Sequence, residues 1–151
     1  MLRWLLAASH LLALGIGLGA AWARGRALQQ RLNAAGVRRV LAADTWWGIA
    51  AFLWVSTGLW RWLGGLEKGT AYYLQNHVFW AKMALFGLIL VLEVGPILTF
   101  ARWRRRLAAG AEPDLESAPR LARISFIQAG LVVLIVLAAT AMARGYGVRG
   151  P

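Results

Sequence analysis

The sequence predicts an all-α integral membrane protein: one domain, folded as a bundle of four transmembrane helices. Three observations predict this class: 60% of the 151 residues are hydrophobic, only 15% are charged, and four separate apolar runs are each long enough to cross a bilayer. A soluble domain has roughly 45–50% apolar and about 25% charged residues. A helix of about 20 apolar residues spans the hydrocarbon core. The alternating pattern of a membrane β-barrel is absent from the runs.

The four runs place the helices at Trp4 to Ala23, Thr45 to Leu63, Val78 to Phe100 and Ile124 to Ala143. The first run also resembles a secretory signal peptide, because a basic residue precedes it and small residues end it. We interpret it as a retained helix. Segment 24–43 has the composition of an amphipathic surface helix. No segment between the runs is long enough to form a water-soluble core, so residues 1–151 make a single domain.

Basic residues differ in number between the two ends of the predicted bundle. The loops 24–43 and 101–123 carry eleven arginines and lie on the same side, because two helices separate them; the other side carries six cations. Cytoplasmic loops are enriched in Lys and Arg. We therefore expect both loops in the cytoplasm and both termini in the periplasm, with the chain in a bacterial inner membrane. The net charge of +11 then reflects topology, and we expect no nucleic-acid partner.

Composition also limits the chemistry of the chain. It has no cysteine, which excludes disulfides, cysteine-ligated zinc and iron–sulfur clusters. Phosphate-binding glycine loops, Gly-x-Ser-x-Gly elbows and His-Glu-x-x-His motifs are absent as well. Eight of the nine tryptophans lie near the ends of the runs, which is typical of an interfacial aromatic belt, whereas Trp54 lies inside a run.

Four ionisable residues lie within or beside the apolar runs: His10, Lys82, Glu93 and Asp44. Each costs roughly 2.5–3.5 kcal/mol to insert, so each calls for an explanation. His10 and Lys82 lie about six and four residues into helices that start from the same side, so they can meet at one depth between helices one and three. Lys82 and Glu93 are almost three whole turns apart and share a helical face. We expect both to face the bundle interior, with Glu93 paired to an arginine.

Structural explanations compete with a functional one for each of these residues. Lys82 can extend its amine to the membrane surface, and His10 can be a packing residue bonded within the bundle. Glu93 precedes a Gly-Pro pair and can stabilise a kink. Asp44 starts the second predicted helix, where it is expected to cap the helix N-terminus and to act at most as a supporting polar residue.

Three motifs resemble those of a known family; they are Ser9-His10-Leu11-Leu12-Ala13, Thr45-Trp46-Trp47-Gly48-Ile49 and Phe79-Trp80-Ala81-Lys82-Met83. With them the chain resembles, over nearly its whole length, the bacterial membrane proteins with domain of unknown function 2214. More distantly it is similar to the four-helix oxygen-independent protoporphyrinogen oxidases and to the copper-resistance-D-like proteins. The likeness to the oxidases implies haem b as cofactor and functional roles for His10 and Lys82. Ser125-Phe126-Ile127-Gln128 stands where the oxidases have an acidic residue and a proline, which favours haem binding over porphyrinogen oxidation.

Two hypotheses for the function follow. The first is a haem-b-binding, redox-linked membrane protein in which His10 is an axial ligand and Lys82 either a second ligand or a partner of a propionate. Met142 lies at a suitable depth for a further axial group. The alternative is a non-catalytic accessory subunit that packs against other membrane subunits or a second copy. In both cases the lipid bilayer is a partner, and an optical spectrum distinguishes the two.

Overall fold

The structure, a computed structural model, describes residues 1–64 and 74–147, which form four long helices. These are α1 (Leu2–Leu28), α2 (Ala34–Leu63), α3 (His77–Ala108) and α4 (Ala118–Ala143). All four are long and apolar enough to cross a membrane. Each contains its predicted run and extends past it, mainly at the end where the arginines lie. The reason is that the amphipathic, arginine-rich segments next to the runs keep helical backbone beyond the apolar stretch.

Chain direction alternates, so the bundle has two distinct ends. The end with Met1, Leu63, His77 and Ala143 is called the termini end below, and the opposite end is called the arginine end. In the plane of the membrane, α1 packs against α2 and α4, and α4 also packs against α3. Few Cα atoms of α2 and α3 come within 8 Å of each other. The order around the bundle is therefore α2–α1–α4–α3. Helices α1 and α3 lie diagonally opposite each other, whereas the sequence pattern indicates that they can be neighbours.

Small residues on α1 explain why α2 is its close neighbour. Ala13, Gly17 and Ala21 are buried on one face of the helix. A Cβ atom added to Gly17 would lie only 3.5 Å from the Cβ of Ala50 and 3.7 Å from the Trp47 ring. Small residues of this kind allow close backbone approach in membranes, where helix association depends on packing rather than on the hydrophobic effect.

The distribution of apolar side chains is that of a membrane protein. Two clusters of buried apolar residues lie in the described part of the chain, one around Phe100 and Trp103 at the arginine end and one around Trp47 and Ile135. Many large apolar side chains point outwards; they include Leu12, Phe52, Val91, Ile97 and Leu137, each more than half exposed. These outer faces contact lipid, because a water-soluble protein rarely exposes so much contiguous apolar surface.

Asparagine residues, and not the predicted aspartate, cap the second and third helices. Asn33 Oδ1 accepts from Gly36 N at 2.9 Å, and a Cβ on Gly36 would clash with the Arg31 carbonyl oxygen. Asn76 Oδ1 accepts from the amides of Val78 and Phe79, the second and third residues of α3, at 2.9 and 3.2 Å. The prediction that Asp44 caps helix two is wrong, because α2 begins at Ala34 and Asp44 lies almost three turns inside it.

Candidate functional site

A cluster of polar side chains in the arginine half is centred on Arg24 of α1, which is fully buried. Its Nε donates to Ser125 Oγ at 3.0 Å. Its Nη1 donates to Asp44 Oδ1 at 2.8 Å and to Glu93 Oε1 at 3.0 Å. Its Nη2 donates to Glu93 Oε2 at 3.1 Å and to Gln128 Oε1 at 2.6 Å. A guanidinium has five N–H donors, so every one of them is bonded to a side chain of α2, α3 or α4.

The partners of the buried arginine complete one another's hydrogen bonding. Gln128 Nε2 donates to Glu93 Oε2 at 2.6 Å. Arg104 of α3 donates from Nη2 to Asp44 Oδ2 at 2.8 Å, and its side chain is 42% exposed. Two cations and two carboxylates thus balance in charge. A buried ion pair is tolerated when its remaining donors and acceptors are also bonded, and this cluster meets that condition while linking all four helices.

A cavity of about 620 Å³ lies in the termini half, and all four helices line it. Its walls are mainly aliphatic and aromatic, and its polar side chains include His10, Arg61, Lys82 and Thr140. The described residues of the lining include no Asp or Glu. Ligand sites in proteins are typically apolar hollows of about 300–1,000 Å³ with a few polar groups that orient the ligand. The size and lining of this cavity match that description.

His10 is held against α2 by both ring nitrogens. Trp54 Nε1 lies 3.0 Å from His10 Nε2, and Thr57 Oγ1 lies 2.9 Å from His10 Nδ1. An indole N–H is only a donor, so Nε2 accepts from it with its lone pair. In a neutral imidazole Nδ1 then carries the hydrogen and donates to Thr57, whose hydroxyl donates to the Leu53 carbonyl at 2.6 Å. The contacts thereby define the tautomer of His10.

Two cations and one indole stand near the termini end of the same cavity. Arg61 of α2 and Lys82 of α3 both line it, and the Lys82 Nζ lies 5.5 Å from the centroid of the Phe79 ring. Trp62, next to Arg61, also lines the cavity. Among the described residues its Nε1–H is the buried side-chain donor with no hydrogen-bond partner. Such a donor is uncommon in a native protein and calls for an explanation, such as a ligand.

The four ionisable residues singled out in the sequence fall into two groups. His10 and Lys82 line the cavity, whereas Glu93 and Asp44 belong to the Arg24 cluster in the other half of the bundle. Met142 of α4 also lines the cavity. Because α1 and α3 are diagonal, the cavity is enclosed by four helices and is not confined to the space between those two.

Sequence reasoning missed the partners of these residues. The apolar run ends before Arg24 and therefore predicts a loop there, whereas helix α1 continues to Leu28 and Arg24 is buried. Trp54 and Thr57 are not among the site residues that the sequence predicts. The sequence does contain a signal for Trp54 and Thr57. Trp54 is the tryptophan deepest inside an apolar run, and Thr57 follows it by one helical turn on the same face.

No group of three or more His, Cys, Asp and Glu side chains among residues 1–64 and 74–147 is arranged to hold a bare metal ion. An iron bound at His10 would need most of its ligands from a prosthetic group such as a porphyrin. His10 would suit that role once Trp54 Nε1 no longer donates to it, because its Nε2 is unprotonated and its Nδ1–H has a hydroxyl partner. The apolar walls and the two cations likewise suit a planar, acid-bearing group, so the residues present fit haem.

The four membrane-length helices and their lipid-facing apolar surface define a multi-pass membrane protein of the four-helix-bundle class. A family model, described as Predicted membrane protein (DUF2214), matches residues 2–147. The chain therefore belongs to this family. No curated protein and no solved structure matches it. The more distant resemblances to the oxidase and copper-resistance groups stay predictions.

Proposed function

We propose that the cavity binds haem b through His10 Nε2 and that the protein is a small redox-linked protein of the bacterial inner membrane. The observation that carries the proposal is the state of His10 in a large apolar cavity: Nε2 is the unprotonated ring nitrogen, which accepts from Trp54, and Thr57 holds Nδ1–H. Haem iron accepts a neutral imidazole. A partner on the other ring nitrogen orients such a ligand and raises its basicity.

The chain's other residues have separate roles in this proposal. Arg61 would pair with a propionate, and the aromatic walls would contact the macrocycle. Lys82 would either pair with a propionate or ligate the iron, and Met142 of α4 would be the other candidate ligand. The bound iron would supply a reversible one-electron change. Trp54 has to withdraw its N–H from His10 Nε2 before that nitrogen can ligate anything else.

The orientation of the bundle belongs to the same proposal. The arginine end faces the cytoplasm and the termini end faces the periplasm, so the cavity lies in the outer half of the membrane. The uneven distribution of arginines supports this orientation, because positive charge near helix ends favours the cytoplasmic side.

The optical spectrum of protein purified after expression with adequate haem tests the proposal. We expect a Soret band and a reduced-minus-oxidised spectrum of haem b in the wild type, lost in His10→Ala and shifted or weakened in Lys82→Ala. His77→Ala is the matched control, because His77 is exposed and does not line the cavity. Colourless wild-type protein, or a spectrum that His10→Ala leaves unchanged, would refute haem binding.

Colourless protein would favour the accessory-subunit hypothesis instead. Trp22, Trp46 and Trp60 are each 57% exposed on the lipid-facing surface, and they would then be the residues to examine for contact with another membrane subunit or a second copy. Copurification of a defined partner, lost on their substitution by Ala, would support that function.

A further inference from the structure

Two pairs of aromatic side chains bridge the space between α2 and α3. The ring centroids of Trp54 and Phe86 are 5.5 Å apart, and those of Trp62 and Phe79 are 5.6 Å apart. All four residues line the cavity. Position 62 lies eight residues after position 54, and position 86 lies seven residues after position 79. At 1.5 Å per residue the two bridges are therefore about 10–12 Å apart along the bundle.

The wall between these bridges contains small or flexible residues. On α2 it holds Gly58 and Leu59, and on α3 it holds Lys82 and Met83, all of which line the cavity. Leu59 is also 45% exposed on the outer surface, so one side chain reaches from the cavity to the lipid. A Cβ on Gly58 would lie 3.2 Å from His10 Cε1, so the histidine lies directly behind this wall. We call the space between the two bridges the lateral window.

Polar and apolar groups of the cavity are separated along its length. Arg61 and Lys82 lie near the termini end of their helices, together with the Trp62 indole. Deeper in the membrane the lining is formed by residues such as Leu14 and Ile135. A ligand that matches both parts is amphipathic, with an acid group towards the termini end and an apolar body towards the membrane centre.

We propose that the cavity takes a lipid-dissolved amphiphile that bears an acid group, and that this ligand passes sideways between α2 and α3 through the lateral window. The inference rests on the proposed ligand-binding function of the same cavity and extends it to the class of ligand and its source. The lipid phase is the source because the window faces acyl chains and the body of the cavity is apolar. Haem meets the same chemical description through its propionates.

The ligand class is tested with a stearic acid that carries a nitroxide near its methyl end. The wild-type protein is placed in nanodiscs of zwitterionic phosphatidylcholine, and electron paramagnetic resonance measures the immobilised fraction of the probe. We expect saturable binding at one probe per chain and about tenfold weaker binding of the methyl ester, because the ester has no negative charge and can form no ion pair with the cations. Butyrate added to the water should not displace the probe.

Equal binding of acid and ester would overturn recognition of the acid group. Displacement by butyrate as effective as that by unlabelled stearate would show that the site takes a soluble anion from water. Lys82→Gln should weaken binding of the acid probe and leave binding of its methyl ester unchanged. The comparison of acid with ester uses the wild-type chain, so it is decisive even where a variant does not fold.

The route is tested by narrowing the window with Leu59→Trp and Met83→Trp. Leu53→Trp and Leu88→Trp are matched controls, because both residues are exposed on the same two helices and line no part of the cavity. Uptake of the probe should slow in the window variants and match the wild type in the controls. Equal uptake rates in all four would overturn the lateral route.

The two proposals fail separately. A colourless protein could still bind the acid saturably, prefer it to the ester and take it up more slowly in the window variants. That result would refute haem binding and support a lipid-dissolved acid as the ligand. A haem spectrum that depends on His10, in a protein that neither distinguishes acid from ester nor responds to the window variants, would keep haem binding and overturn this inference.

Discussion

Replacement of Arg24 by methionine is expected to destabilise the bundle more than any equivalent change at another arginine of the described chain. The substitution removes five hydrogen bonds to α2, α3 and α4. It leaves two carboxylates, each only 12% exposed, without their central cation. Removing one partner of a buried ion pair costs about 3–5 kcal/mol. We expect a loss of that size for Arg24→Met in the free energy of unfolding.

Arg104→Met is the matched control, because Arg104 binds the same carboxylate of Asp44 at the same 2.8 Å distance. Its side chain is 42% exposed, and exposed ion pairs contribute about 0–1 kcal/mol. Unfolding is measured by circular dichroism in mixed micelles of dodecyl maltoside and sodium dodecyl sulfate. The double variant Arg24→Met/Glu93→Met should recover part of the loss, since it no longer strands the glutamate. Equal destabilisation by Arg24→Met and Arg104→Met would refute the reasoning that burial decides the strength of these pairs.

Three further predictions concern other parts of the molecule. Trp54→Phe removes the N–H that occupies the histidine Nε2 and should strengthen haemin binding about fivefold, the equivalent of one neutral hydrogen bond. Trp60→Phe, on the lipid face, should leave haemin binding unchanged. Weaker haemin binding by Trp54→Phe would contradict this prediction. Gly147→Ala should lower the unfolding free energy by more than the roughly 1–2 kcal/mol expected for Gly145→Ala. Both glycines have positive φ (88° and 90°), but only at Gly147 would a Cβ meet other atoms, at 2.5 Å; equal losses would refute that contact. In the cysteine-free chain, Arg105→Cys should react with an impermeant maleimide in inverted vesicles and not in intact cells, and the reverse labelling would overturn the proposed orientation.

The fold class could be predicted because the bilayer imposes it: an apolar run of sufficient length has to become a helix that satisfies its own backbone. The same physics indicated that Glu93 needs a buried cation. The identity of that cation could not be read from hydropathy, because Arg24 lies just past the apolar run and is enclosed only by the packing of α2, α3 and α4 around it. The partners of His10 depend on the order α2–α1–α4–α3. Helix association in lipid has no hydrophobic driving force to mark the contacting faces, so apolar periodicity did not reveal this order.

The two halves of the bundle differ in what their polar groups can do. In the arginine half every N–H donor of the Arg24 guanidinium is bonded to a side chain, so Arg24 has no donor left for a ligand. In the termini half polar side chains line the large cavity, and the buried Trp62 indole donor there lacks an acceptor. A small cavity of about 50 Å³ between the two halves is lined almost entirely by apolar side chains, Glu93 being the ionisable one. A water molecule in so small a space needs two or more polar partners, and this lining offers one ionisable side chain, Glu93. The charged cluster is therefore separated from the large cavity by an apolar layer, and substitutions in the cluster should change the free energy of unfolding without changing the binding proposed for that cavity.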